Sequence, residues 1–126
     1  MVDVVKAKSE IDALLPVPAS VMHILVALAD GEKHGYAIMR DVLDHSDGKI
    51  TMGSGTLYGS IKRMLDQGLI EETDERPDPA LDDQRRRYYR LTSLGHHVGA
   101  AEFARLQALI DTARMRRLGV GALGTT

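Results

Sequence analysis

The sequence predicts a mostly helical protein with a small β-hairpin. Apolar residues recur at helical spacing through three segments of the first half, whereas a tyrosine-rich segment after residue 84 alternates as a strand does. A last stretch of helical pattern would be about 39 Å long as one helix. The chain has 126 residues, of which 44% are hydrophobic and 27% charged, a composition typical of one globular domain.

The first predicted helix follows a Pro-Val-Pro stretch at residues 16–18. It begins at Ala19, carries apolar residues at helical spacing, and stops at Gly31. The segment before it, residues 1–15, is expected to be a loose arm that could include a turn of helix at Ser9–Leu15.

Two more helices are predicted before the hairpin. One lies in "HGYAIMRDVLDHSDG" and ends in turn residues, and Lys49–Met52 is then a connector that could add one strand bridge. The third helix runs from about Ser54 to Gln67, and Gly68 ends it. The residues predicted to face the core are Leu57, Ile61, Met64 and Leu65. Those predicted to face outward are Gly55, Gly59, Lys62, Arg63 and Asp66.

The second half is a predicted hairpin and a long helix. "LIEET" and "RRRYYRLT" are typical of strands, and "DERPDPALDDQ" between them is predicted to be a loop. In the second strand, Tyr89 and Leu91 share one face, and Arg86, Tyr88 and Arg90 share the other. Thr92 can cap a helix from Ser93 to about Leu118.

The positive charge is concentrated, although the net charge is only −2. Four arginines lie within Arg85–Arg90, and the acids cluster in neighbouring segments. Three helices, a hairpin and a long last helix form the order of a winged helix-turn-helix domain with a helical appendage. In that fold the third helix enters the DNA major groove, where small residues allow close approach and cations neutralise phosphates.

Three separated motifs carry a family resemblance. "HGYAIM", "GTLYGSIKRMLDQGLIEE" and "RRRYYRLTSLG" occur in this order and resemble the signature segments of the PadR family of transcriptional regulators. The resemblance covers about Pro16 to Leu118. The family often has proline at the positions of Ser54 and Gly59, and the glycine at 59 resembles one branch of the family.

The resemblance implies a cytoplasmic, homodimeric DNA-binding repressor, which a small-molecule effector releases from its operator in many members. The residues expected to contact DNA are Tyr36, Ser54, Gly55, Thr56, Tyr58, Gly59, Lys62, Arg63, Arg85 and Arg86. The last helix is expected to pair the two chains, and its seam is Gly99, Phe103, Leu106, Ile110 and Ala113. A two-fold dimer implies a pseudo-palindromic operator.

These expectations divide the chain into four parts. Residues 1–15 form the arm, 16–91 the winged helix-turn-helix domain, 92–118 the dimerisation helix, and 119–126 a disordered tail.

Other readings remain open for several of these side chains. Lys62 and Arg63 could lie on a merely solvated helix face, and the arginines from Arg85 to Arg87 could pair with acids such as Asp82 and Asp83. Arg87 is the arginine expected to be structural. Tyr36, Tyr58 and Tyr89 could be core aromatics, above all Tyr89, and Gly59 could be simply tolerated.

Other functions have less support in the sequence. A winged-helix adaptor that binds proteins instead of DNA is the alternative function. No catalytic constellation is found, and no cofactor, metal site or membrane segment is expected. The chain has no cysteine, and its five histidines are scattered along it.

Overall fold

The computed structural model describes residues 2–77 and 85–119. Within these residues, four helices precede the hairpin, one more than the sequence predicts, and a long helix follows it. The elements are α1 (Val2–Ala13), α2 (Ala19–Leu28), β1 (Lys33–His34), α3 (Gly35–His45), α4 (Ser54–Asp66), β2 (Ile70–Pro77), β3 (Arg85–Leu91) and α5 (Ser93–Met115). The mostly helical class with a small sheet is confirmed. Residues 120–126, nearly all of the expected disordered tail, lie outside the described residues.

The sheet has three antiparallel strands in the order β1-β3-β2. Strand β1, which pairs with Tyr88 and Tyr89 of β3, is missed by the sequence prediction because two residues cannot show an alternating pattern. The strand bridge considered at Lys49–Met52 does not form. Strand β2 continues to Pro77, so the predicted loop begins later than expected. The rest of that loop, residues 78–84, lies outside the described residues.

Both tyrosines of the third strand are buried, although the alternating pattern places them on opposite faces. Tyr88, which shares its face with the arginines, is covered because β1 brings the ring of His34 edge-on to it with 5.3 Å between ring centroids. Burial, followed by the nearby charge of Glu72, raises the pKa of the Tyr89 hydroxyl above its ordinary value. Tyr89 is therefore a core aromatic, as expected.

Helix α2 is the centre of the core and contacts α3, α4, α5 and β3. Each of these elements turns apolar side chains toward it. Among the most buried are Val21, Ile24, Ile38, Val42, Leu57, Met64, Leu69 and Val98. Burying side chains of this size stabilises the fold by about 1.5–3 kcal/mol each, so the core fixes how the three helices of the helix-turn-helix are arranged.

The N-terminal segment is a helix of 12 residues and not a loose arm with one helical turn. Ile11, Leu14 and Leu15 are half-buried against the core, and α1 contacts α5. Short helices owe most of their stability to such packing. The sequence prediction misses α1 because packing against distant residues leaves only a weak hydrophobic pattern within the segment itself.

A tight corner joins the end of α4 to the start of α5. The Thr92 N–H donates to the Leu69 carbonyl at 3.0 Å, and the Thr92 hydroxyl donates to the Gly68 carbonyl at 2.5 Å. The same hydroxyl oxygen accepts from the Gly95 N–H at 3.0 Å, which confirms Thr92 as the cap of α5. A Cβ on Gly95 would lie 2.1 Å from the Leu69 carbonyl oxygen, so glycine is required at this α4–α5 corner.

A buried carboxylate attaches α5 to the rest of the domain at a second point, two turns after Gly95. Glu102 is only 1% exposed, and it accepts from the Val17 N–H at 2.7 Å and from the Arg105 guanidinium. Val17 lies between Pro16 and Pro18, so its N–H is the one backbone donor of that tripeptide. These bonds, the one from Arg105 foremost, hold the pKa of Glu102 below its ordinary value of 4.5.

We expect Glu102→Gln to lower the free energy of unfolding at pH 7 by about 1–3 kcal/mol, since the amide would place N–H groups against the guanidinium. Because the folded-state pKa is depressed, the carboxylate stabilises the fold above about pH 4.5 and loses this effect as the pH falls through its folded pKa. The deficit of the variant should therefore shrink in acid. Urea unfolding at pH 7, 4.5 and 3 measures it at one protein concentration, with Asp111→Asn on the same helix as the control. A deficit of equal size at all three pH values would contradict this role.

Candidate nucleic-acid interface

Helix α4 divides into a packed face and an open face. Leu57, Ile61 and Met64 are buried and Leu65 is half-buried, as the spacing predicts. Ser60 is buried as well, which the sequence prediction misses. Its hydroxyl lies 3.0 Å from that of Ser20 on α2 and adds a polar tie between α2 and α4.

The open face begins with small residues. Ser54, Gly55, Thr56 and Gly59 are exposed, and a Cβ added to Gly55 or Gly59 would meet no atom within 4 Å. Neither glycine has a positive φ. Nothing within the described fold therefore requires glycine at these two positions.

The basic residues follow along the same face. Lys62 and Arg63 are exposed, and neither forms an ion pair with any described residue. By helical spacing Lys62 lies between the two glycines and Tyr58, whereas Arg63 lies on the opposite flank. Arg63 also borders a pocket of about 130 Å³ beneath the link between α1 and α2. The two cations consequently point to different sides of the same face.

A polar notch separates α4 from the sheet. Its volume is about 150 Å³, and its lining residues are His34, Gly35, Tyr58, Arg86, Arg87 and Tyr89. Tyr58 is 49% exposed, and its ring lies so close over α3 that a Cβ on Gly35 would be 2.5 Å from the phenol oxygen. The tyrosine hydroxyl is thus held at the rim of the notch.

The start of α3 forms the other wall of the notch. His34 caps this helix because its Nδ1 accepts from the Ala37 N–H at 3.1 Å, a role that sequence reasoning did not find because histidine is not a usual N-cap. Tyr36 is 47% exposed, and the guanidinium carbon of Arg40 lies 6.0 Å from its ring centroid. The structure therefore brings Tyr36 and Tyr58 to one side of the domain with their rings partly in solvent.

The arginines of β3 have different surroundings. Arg87 pairs with Glu72 at 3.7 Å and Arg90 with Glu71 at 2.7 Å, so Arg87 has the structural partner that was expected of it. Arg86 is half-buried beside the notch, and Arg85 begins β3 opposite Pro77. The alternative partners, Asp82 and Asp83, lie outside the described residues.

The seam of α5 is split between two environments. Gly99 is buried, and its added Cβ would lie 4.0 Å from Leu25 of the same chain. Farther along, Phe103 is 54% and Ile110 44% exposed, while Leu106 and Ala113 are half-buried. An apolar groove of about 270 Å³ between α2 and α5 begins beside Phe103. The outer half of α5 therefore presents apolar side chains that the described chain leaves uncovered.

Two of the histidines that are scattered along the sequence, His23 and His45, lie together in space. The Nδ1 of His23 lies 2.9 Å from the Nε2 of His45. The described residues contain no group of three or more histidine, cysteine, aspartate or glutamate side chains arranged to hold a metal ion. Nor does any helix among them have the length and apolarity to cross a membrane.

Three packed helices followed by a two-stranded wing define a winged helix-turn-helix protein, in which α4 is the third of these helices and α5 an appended helix. The sequence model of the transcriptional regulator PadR-like family matches residues 24–101. The chain belongs to this family of transcriptional regulators.

Solved structures of such regulators share the fold at low sequence identity. A PadR family transcription regulator from Clostridium difficile is 20% identical, with a TM-score of 0.65 over 78% of this chain and 97% of that one. A transcriptional regulator from Clostridium thermocellum is 22% identical, with a TM-score of 0.64 over 79% and 89%. A PadR-like regulator from Bacillus cereus is 20% identical, with a TM-score of 0.64 over 88% and 98%. No curated protein matches the chain significantly.

Proposed function

We propose that the protein is a homodimeric transcriptional repressor that binds a pseudo-palindromic operator in double-stranded DNA. The observation that carries this proposal is the open face of α4, which is small at its N-terminal end and basic farther along, and which the described fold leaves free of ion pairs. A packed helix needs no such face. A helix that enters the major groove does, because the groove is about 12 Å wide and the bases lie at its floor.

Each part of the interface has a distinct role in this proposal. The small residues of α4 bring its backbone near the bases, the two cations neutralise phosphates, and the hydroxyls of Tyr36 and Tyr58 donate to the flanking DNA backbone. The arginines of β3 reach the neighbouring backbone or minor groove from the wing. The proposed DNA-contacting residues are Tyr36, Ser54, Gly55, Thr56, Tyr58, Gly59, Lys62, Arg63, Arg85 and Arg86.

The dimer is proposed to form along α5. Its exposed apolar residues continue the seam beyond the part that packs on the same chain. The seam spans only about two heptads, which is short for a stable coiled coil, so α1, which already contacts α5, is expected to add surface. Two-fold symmetry would place the recognition helices about one turn of DNA apart.

Control by a small-molecule effector would act through the same dimer helices. An effector that binds one arrangement of the two winged domains more tightly than another shifts the population toward it. The proposed location is the cytoplasm, where promoter DNA is accessible. The alternative is an adaptor that keeps the winged fold and binds another protein through the wing or α5.

We expect the double variant Lys62→Ala, Arg63→Ala to bind every DNA sequence more weakly by a similar factor, promoter DNA included. The salt dependence of its affinity should also be smaller. A plot of log K against log salt has a negative slope, and each lost phosphate contact makes that slope shallower by about 0.9. Fluorescence anisotropy at several salt concentrations measures this slope. Lys8→Ala, which removes a cation from α1, is the control and should leave the slope unchanged. Wild-type slope and affinity in the folded double variant would contradict this assignment of the recognition face, and no DNA binding by the wild type would favour the adaptor.

Substitutions at Gly59 test whether the helix needs a glycine there so that DNA can approach it, or whether the glycine is simply tolerated. We expect Gly59→Ala to stabilise the fold by about 1 kcal/mol, because alanine favours a helix interior and its methyl group meets no neighbour. Gly59→Gln should also fold, yet bind DNA at least about tenfold more weakly because its side chain projects toward the bases. Thermal unfolding and the anisotropy titration give the two readouts. DNA affinity in Gly59→Gln equal to the wild type would leave tolerance as the explanation.

The dimer interface can be tested on the exposed half of α5. We expect Ile110→Asp to shift the protein from dimer to monomer in sedimentation velocity at micromolar concentration, since a carboxylate would be buried without a partner. Ala108→Glu lies on the opposite side of the same helix and serves as the control that stays dimeric. A wild-type monomer under these conditions would refute the proposed dimer.

A further inference from the structure

A small pocket lies beneath the link between α1 and α2, and its volume is about 130 Å³. Its floor consists of Val21, Leu69 and Val98, each at most 2% exposed. The link itself supplies the walls, where Leu14 and Leu15 are half-buried. All the residues that line the pocket are apolar except two. The pocket is therefore a dry hollow with a small polar part.

The two polar residues lie one helical turn apart at the end of α4. Arg63 is exposed and Gln67, the C-cap of α4, is half-buried, so their side chains form the mouth of the pocket. Arg63 forms no ion pair with any described residue, and the Gln67 side chain forms no hydrogen bond with one. No carboxylate of the described residues lines the pocket, and the buried carboxylate of Glu102 is already bonded to the Val17 N–H and to Arg105. The mouth thus offers one uncompensated positive charge and one free amide.

These groups select the chemical class of a ligand. A guanidinium pairs with a carboxylate through two parallel hydrogen bonds, and the amide of Gln67 can donate to the same oxygens. Because only one cation lines the pocket, it matches a single negative charge and not a phosphate dianion. The apolar part has room for about six carbons, since an apolar cavity of about 150 Å³ holds benzene. A hydroxyl group at that end would be buried among apolar side chains, which is unfavourable.

We infer that this pocket binds a short branched aliphatic monocarboxylate, with its carboxylate on Arg63 and Gln67 and its alkyl end on the floor. The proposed function assigns the same guanidinium to a DNA phosphate, and one guanidinium cannot form both bidentate pairs at once. The bound acid therefore withdraws Arg63 from the DNA, and this route requires no change in the arrangement of the two winged domains. The regulatory half of the inference rests on the proposed function, whereas the binding site does not.

The first test is a titration of sodium isocaproate into the isotope-labelled full chain, followed by NMR without DNA. We expect the amide signals of Leu15, Val17 and Gln67 to shift together with one dissociation constant. Arg63→Gln should lower the affinity for the acid by about tenfold, because the charge-assisted pair is lost. Lys62→Gln is the matched control, since Lys62 is the neighbouring exposed cation and does not line the pocket. It should bind the acid as the wild type does.

Two analogues test the chemistry on the unmodified protein. Isocaproamide has the shape of the acid without its charge and should bind about tenfold more weakly. The compound p-hydroxybenzoate keeps the carboxylate but buries a hydroxyl group, so it should also bind more weakly than isocaproate. No shifts at the pocket residues, equal affinity in Arg63→Gln and the wild type, or an amide that binds as tightly as the acid would overturn the binding site. Tighter binding of p-hydroxybenzoate would overturn the aliphatic class.

Fluorescence anisotropy tests the regulatory half, with sodium acetate at the same concentration as the reference. Saturating isocaproate should make the salt slope of DNA binding by the wild type shallower by about 0.9, the value of one phosphate contact. The slope of Arg63→Gln should not change. An unchanged slope in the wild type would overturn the coupling. A wild type that binds no DNA would overturn the coupling together with the proposed function, and the NMR titration would still decide the binding site.

Discussion

The close approach at the α4–α5 corner is the constraint on which the rest of the molecule depends. Because Gly95 has no side chain, the first turn of α5 reaches the Leu69 carbonyl, and Thr92 donates hydrogen bonds to the carbonyls of Leu69 and Gly68. The end of α4, the start of β2, the end of β3 and the start of α5 therefore meet within a few residues. The buried Glu102 then fixes α5 to the link between α1 and α2. Two separate attachments prevent the appended helix from rotating freely on the winged domain.

The same core leaves one face of α4 without any internal role. Leucine-sized side chains and the Ser60–Ser20 contact satisfy the packed side. Opposite them, among the described residues, no atom lies near an added Cβ of either glycine, and the two cations form no ion pair. In a helix of 13 residues, two interior glycines lower helix propensity at no gain to packing. This asymmetry is more informative about function than the number of arginines, because Arg87 and Arg90 are already paired with glutamates across the hairpin.

How far the sequence predicts the structure depends on the range of the interactions. The bounds of α4 and the cap at Thr92 follow from neighbouring residues, and both are confirmed. The His23–His45 contact joins residues 22 positions apart, and Val17 and Glu102 are separated by 85. No periodicity encodes such pairs, and the helical state of α1 likewise depends on packing against distant residues. The candidate interface was predictable as one face of one helix, but the notch beside it requires the sheet to be in place.

Helix α5 also acts as a lever. From Thr92 to the middle of the seam at Leu106 is about 21 Å along the helix axis. In the proposed dimer, a tilt of α5 by about 9° about the seam would move the recognition helix beside the corner by about 3.4 Å, the rise of one base pair. A rotation too small to disturb the core would thus place the two recognition helices one base pair out of register with their half-sites. The stiffness of the seam, together with the two attachments of α5 to the winged domain, would then determine how strictly the protein measures the spacing of its operator.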